Sequence, residues 1–237
     1  GLDRPAWGDQ GLLGLSMSLG QDDVSFGELG SRTRSDNLSL SLYAMRQLPD
    51  GPQIEGALGV GTLEFETLRI DGGQSLNGAR HAHLAFGSLT LRDSQVLAQR
   101  YRYTPYLKVQ TTHATLDAYT EHGGDRAIHF EAQRLNSTQV LLGQDLSLEM
   151  PSRWAPYARL ELALDVSGGS QAQMHYADDT ARYSLSQPNQ RSAQWTLGLG
   201  ADYRVRKDLF ISAAYQRTDQ FNRGYSDSLS AEVNLKF

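Results

Sequence analysis

The sequence predicts an all-β fold: an antiparallel up-and-down transmembrane β-barrel of about ten strands. Three observations point there. Apolar residues recur at every second position in segment after segment. The connections alternate between tight turns and longer polar stretches. The face opposite the leucines is built from Gly and Ser with scattered charge.

The alternation begins early. Leu13, Leu15, Met17 and Leu19 alternate with Gly14, Ser16, Ser18 and Gly20. In NLSLSLYA, Leu38, Leu40, Leu42 and Ala44 oppose Ser39, Ser41 and Tyr43. In YARLELALDV, Ala158, Leu160, Leu162, Leu164 and Val166 oppose Tyr157, Arg159, Glu161, Ala163 and Asp165. In TLGLGADY, Leu197, Leu199, Ala201 and Tyr203 oppose Thr196, Gly198, Gly200 and Asp202. The last ten residues, SLSAEVNLKF, place Leu229, Ala231, Val233, Leu235 and Phe237 on one face and Ser230, Glu232, Asn234 and Lys236 on the other. A period of two is the mark of a strand, and no 3.6-residue stripe competes with it.

Strands are expected near 10–20, 37–46, 53–66, 81–92, 101–117, 127–149, 154–167, 191–205, 208–218 and 225–237. LPDGP (48–52), MPSR (150–153) and RVRKD (204–208) read as tight turns. The segments 21–36, 67–80, 118–126, 168–190 and 219–224 read as longer polar loops. Short turns on one side and long loops on the other are the layout of an outer-membrane barrel. No second domain is visible, so residues 1–237 form one unit.

A soluble sandwich also alternates, but its outer face has no need of Gly and Ser. Small residues on a concave inner wall let strands curve. Strands of about 9–11 residues match a tilted crossing of the hydrocarbon core. Tyr43, Tyr101, Tyr103, Trp154, Tyr157, Trp195 and Tyr225 lie near strand ends, as an interfacial belt requires.

Composition removes other classes. The 237 residues carry a formal charge of −5 with cations dispersed, which argues against a nucleic-acid partner. Mean hydropathy is −0.47, and no run of about 18 apolar residues exists to form a transmembrane helix. Cysteine is absent, which excludes a disulfide scaffold and suits the bacterial envelope. The chain opens at Gly1, with neither initiator Met nor signal peptide, and reads as a processed form or a fragment.

The C-terminal half resembles the translocator β-domain of autotransporters, the type V secretion proteins of Gram-negative bacteria. YTPYLKVQTTHATLDAYTEHGG (103–124) is similar to the family's Pro-Tyr strand and the aromatic-x-Glu-x-Gly segment after it. LLGQDLSLEM (141–150) precedes a second Pro-Tyr strand, APYARLELALD (155–165), and WTLGLGADYRVRKDLFISAAYQRTD (195–219) resembles the penultimate hairpin. The subgroup with an esterase or lipase passenger looks nearest. The family barrel has twelve strands, which implies that two strands, a pore helix and a passenger precede Gly1, with GLDRP (1–5) as the tail of the second strand.

The resemblance implies an outer-membrane location, lipid around the barrel, a monomer, and an N-terminal passenger carried to the cell surface. It also implies that Leu229, Ala231, Val233, Leu235 and Phe237 form the insertion signal read by the barrel-assembly machinery. Arg159, Glu161, Asp165, Asp202 and Glu232 are expected to face the lumen. The alternative is a stand-alone outer-membrane barrel enzyme or a small porin.

No catalytic residues, metal or cofactor are expected. His81 and His83 share a strand face without a third ligand at metal spacing. No Gly-x-Ser-x-Gly elbow occurs, and nothing in the spacing joins His175, Asp178 and Asp179 to a serine as a rim site.

Overall fold

The computed structural model describes residues 1–8, 10–49, 51–98, 100–148, 153–167, 170–179, 181–187, 193–221 and 224–235. Their regular structure is entirely β: β1 (Leu2–Ala6), β2 (Gly11–Phe26), β3 (Ser31–Gln47), β4 (Gln53–Asp71), β5 (Gln74–Arg92), β6 (Gln95–Leu97), β7 (Tyr101–Leu116), β8 (Tyr119–Thr120), β9 (Ile128–Phe130), β10 (Gln133–Leu148), β11 (Trp154–Asp165), β12 (Ser170–Tyr176), β13 (Tyr183–Gln187), β14 (Ala193–Arg206), β15 (Leu209–Gln220) and β16 (Gly224–Leu235). Twelve strands make one curled antiparallel sheet. Its path is β1-β2-β3-β4-β5-β7-β10-β11-β14-β15-β16, with β6 attached to β7. Among the described residues β1 and β16 are its edges.

The register carries the period-two pattern around the sheet. Leu15 opposes Leu42, Leu42 opposes Leu58, and Met17, Leu40 and Val60 form the next row. Val109, Val140 and Leu164 align likewise, as do Leu142, Leu162 and Trp195. Tyr215 and Leu229 close the series. These rows form the convex surface, where Leu58 is 69% exposed on the isolated chain. Such a surface belongs in hydrocarbon, where each leucine gains on the order of 1.5–3 kcal/mol over water. Tyr101, Tyr103 and Trp154 lie on this face at one end, where Trp154 packs on Tyr203 at 4.8 Å. Trp195 and Tyr225 lie on it at the other end.

Tyr43 and Tyr157 depart from the expected belt. Their register partners Gly14 and Gly200 put them on the concave, polar face. Parity explains it: each is one residue away from an outward position, Leu42 and Ala158.

Two expected loops are strand. Residues 21–36 and 67–80 extend β2–β3 and β4–β5, which turn at 27–30 and 72–73. Gly27, Gly30, Gly72 and Gly73 all have positive φ, the conformation such turns need. Beyond the apolar rows, outward positions such as Asp23, Arg34, Glu64 and Glu66 are charged, so strand there resembles loop in sequence. The expected strand 127–149 divides into β9 and β10. The segments 118–126 and 168–190 contribute to a second sheet, β13-β12-β9-β8.

At the opposite end β14 and β15 are joined through 207–208, and Pro105 sits at a break in the ladder. Pairing of β7 passes there from β5, which ends at Tyr106, to β6, which starts at Tyr103. A residue without an N–H is tolerated in that gap. Leu2–Ala6, expected as a strand tail, pairs with β2 from Leu15 to Gly11.

Candidate functional site

The concave wall is built by the residues between the outward rows. Arg159 and Glu161 on β11 oppose Asp145 and Gly143 on β10. The Arg159 guanidinium grips Asp145 with two hydrogen bonds, Nε to Oδ1 at 2.6 Å and Nη2 to Oδ2 at 3.1 Å. Such a two-pronged pair is among the stronger and more directional side-chain contacts. The Tyr106 hydroxyl donates to Glu161 Oε2 at 2.6 Å. Arg92 lies 3.0 Å from Glu55, and both Arg92 and Arg159 approach the Tyr106 ring. Glu55, Arg92, Tyr106, Arg159 and Glu161, with Thr90 and Lys108, line a cavity of about 320 Å³.

Three tyrosines shape this wall by lying over glycines on the adjacent strand. Tyr43 covers Gly14, Tyr106 covers Gly143 and Tyr157 covers Gly200. A Cβ at each glycine would overlap the tyrosine ring. Tyr43 continues across Gly14 to donate to Asp3 at 2.9 Å. Tyr106 and Tyr157 are the tyrosines of the two Pro-Tyr strands.

The other residues singled out from the sequence distribute as follows. Asp202 accepts a hydrogen bond from Ser212 Oγ at 2.7 Å, and Ser212 opposes Glu232 in the register. Asp165 accepts from the Ser167 N–H at 2.8 Å at the end of β11. The structure brings Arg159 and Glu161 together around Tyr106. Leu229, Ala231, Val233 and Leu235 lie on the outward face of β16, opposite Tyr215, Ala213, Ile211 and Leu209. Phe237 lies outside the described residues.

The rim holds a second cluster that the residue pattern did not single out. Glu121 is 2% exposed, and Arg69 of β4 binds it through Nε to Oε1 at 2.9 Å and Nη2 to Oε2 at 2.6 Å. The Ile128 N–H completes the carboxylate shell at 3.0 Å. Arg69 and Arg126 each contact Asp71 at 2.9 Å, and hydrogen bonding from Arg69 foremost holds that carboxyl below its ordinary pKa. Tyr119 lies over Gly78 and stacks on Phe130 at 4.8 Å, and its hydroxyl is pushed up by burial. Tyr119, Glu121 and Gly123 are the aromatic-x-Glu-x-Gly segment. The motif therefore ties the second sheet to the mouth of the first.

His81 lies 3.7 Å from Glu64 on the outer surface, and His129 opposes His175 in the second sheet. Among the described residues no cluster of three or more acidic, histidine or cysteine side chains is arranged to hold a metal.

A family model described as "Autotransporter beta-domain" matches residues 1–216. The fold is similar to the translocator domain of the autotransporter NalP from Neisseria meningitidis, with TM-score 0.77, 15% identity, and coverage of 98% of this chain and 77% of that one. It is also similar to the β-domain of the Bordetella autotransporter BrkA, with TM-score 0.68, 15% identity, and coverage of 99% and 87%. The CymD monoaromatic hydrocarbon channel shares the fold more loosely, with TM-score 0.59, 13% identity, and coverage of 96% and 71%. No curated protein matches the sequence. The chain belongs to the autotransporter β-domain family. It is a barrel of the Gram-negative outer membrane that serves passenger secretion.

Proposed function

We propose that this β-domain anchors its own N-terminal passenger in the outer membrane and provides the polar wall along which the passenger's linker lies during export. Residues 1–237 act as one domain, a monomer in lipid. Arg159, Glu161, Asp165, Asp202 and Glu232 belong to the lumenal wall. Cross-strand pairs such as Arg159–Asp145 hold charges against that wall, leaving the lumen hydrated rather than sticky. The role requires no catalysis by the chain.

One observation carries the reading of the last strand. β16 alternates from Ser228 to Leu235, and among the described residues it pairs only with β15. Its other edge offers N–H and C=O groups in register for strand addition. Leu229, Ala231, Val233, Leu235 and Phe237 then supply the side chains that the barrel-assembly machinery reads.

The test is a fusion of the chain behind a signal peptide and a reporter passenger. Export places the reporter where external protease removes it from intact cells. Replacing Phe237 with Asp, or deleting it, lowers the amount of heat-modifiable barrel and of surface reporter together. Wild-type amounts of both in those variants would overturn the insertion-signal assignment. A full barrel signal with no surface reporter in the unaltered chain would overturn the export role.

A further inference from the structure

Above the apolar rows, the outer surface of β2 to β5 changes character abruptly. Along β3 the outward residues run Leu42, Leu40, Leu38, and then Asp36, Arg34 and Arg32. Arg34 stands between Asp23 of β2 and Glu66 of β4 in the register. Nearby acids are already engaged: Gln21 donates to Asp36 at 2.5 Å, and His81 meets Glu64 at 3.7 Å. Among the described residues the side chains of Asp23, Arg32, Arg34 and Glu66 form no hydrogen bond or ion pair. They surround a pocket of about 170 Å³, completed by Leu68 and Asn77.

Arginines left unpaired beside carboxylates are uncommon, because a neighbouring acid normally takes the guanidinium. Their height gives the reason. Arg34 lies four residues beyond Leu38, about 9 Å above the hydrocarbon at the usual strand rise and tilt. That is headgroup level, and a long arginine stem can reach down toward it. Two guanidiniums match phosphate in a planar, two-pronged geometry. Asp23, Glu66 and the Asn77 side-chain amide suit hydroxyl and amide donors. Donors and acceptors in one pocket fit a phosphorylated sugar better than a bare anion.

We infer that the Asp23–Arg32–Arg34–Glu66 pocket on the outer face of β2–β5 binds the phosphorylated sugar headgroup of an outer-leaflet glycolipid. Arg32 and Arg34 hold the phosphate, and Asp23 and Glu66 accept from the sugar hydroxyls. The inference depends on the membrane-barrel reading, with the ends at 27–30 and 72–73 facing outward.

The test titrates the chain in non-ionic detergent with lipid A carrying both phosphates, followed by calorimetry. Saturable one-to-one binding is expected, weakening with added salt. Arg32→Ala with Arg34→Ala weakens it at least tenfold, while Arg134→Ala, an outward arginine on β10, leaves it within about twofold. Asp23→Asn with Glu66→Gln weakens lipid A but not phosphatidylglycerol, which has no sugar. Unchanged affinity in the double arginine variant would overturn the inference, as would equal binding of dephosphorylated lipid A. Glucosamine 6-phosphate saturating at the same concentration as lipid A would make this a site for a soluble sugar phosphate and overturn the lipid assignment. Gel mobility with and without boiling accompanies each protein. A heat shift in every variant separates loss of the site from loss of the barrel, and no shift in the unaltered chain would sink the barrel reading itself.

Discussion

Tyr106 reaches Glu161 Oε2 at 2.6 Å by lying across Gly143, the one residue of β10 that pairs with both. Tyr43 reaches Asp3 across Gly14 in the same way. Each contact links strands that are not neighbours in the sheet. The glycine lets the ring lie flat, and the ring covers backbone that a side chain would otherwise shield.

Gly143→Ala is therefore expected to destabilise the barrel by about 1–3 kcal/mol, because the new methyl overlaps the Tyr106 ring. The measurement is the temperature at which the compact, unboiled gel band disappears. Tyr106→Ala alone also lowers it. The double variant Gly143→Ala with Tyr106→Ala loses less than the sum, since the overlap is gone.

Leu58 lies midway along the outward row of β4, between Ile54 and Thr62. Leu58→Arg at this depth is expected to cost about 2–4 kcal/mol in lipid. Ser88→Arg, on the polar face of β5, costs less than half as much. Urea titration of vesicle-inserted protein reads the difference. Equal costs would reverse the assignment of faces.

Glu121→Ala leaves the Arg69 guanidinium without its buried partner. Breaking such a pair costs about 3–5 kcal/mol, here within the rim rather than the spanning strands. Protease added outside the membrane should cut within 117–131 in this variant while β4 and β5 stay intact. Resistance equal to wild type would show that the ion pair does not hold the segment.

Asp71 gives this rim a pH dependence of known sign. Its carboxyl is held below the ordinary value, first by hydrogen bonding from Arg69 and then by Arg126. A depressed carboxylate contributes stability that is fully present above its unfolded pKa of about 4 and is lost as pH falls through the lower folded value. Protection of 117–131 is thus expected to hold from neutral pH down to about 4 and decline below it. Asp71→Asn is less protected at neutral pH and shows a flatter profile, read by proteolysis with an acid-active protease.

The period-two pattern made the spanning strands legible because lipid demands an apolar residue at every outward position. Nothing imposes that demand above the bilayer, so Gln21, Asp23 and Ser25 look like loop although they continue β2. Nearness to strand ends alone puts Tyr43 and Tyr157 in the belt. Their parity against Leu42 and Ala158, and the glycines opposite them, already assign them inward. Arg159 and Glu161 were readable as one face of β11. Their partners Asp145 and Tyr106 depend on a register between distant segments. Glu121 lay inside a recognised motif, but its burial against Arg69 follows from a turn back onto β5 that no local pattern encodes.

The unequal strand extensions give the mouth a high side and a low side. β4 continues from Val60 to Asp71 beyond the apolar rows, whereas β16 goes only from Leu229 to Gly224. On the proposed export role, a polypeptide leaving the lumen meets long strands at β2–β5 and shorter ones at β15–β16. On that reading its departure has a compass bearing, toward the shorter strands.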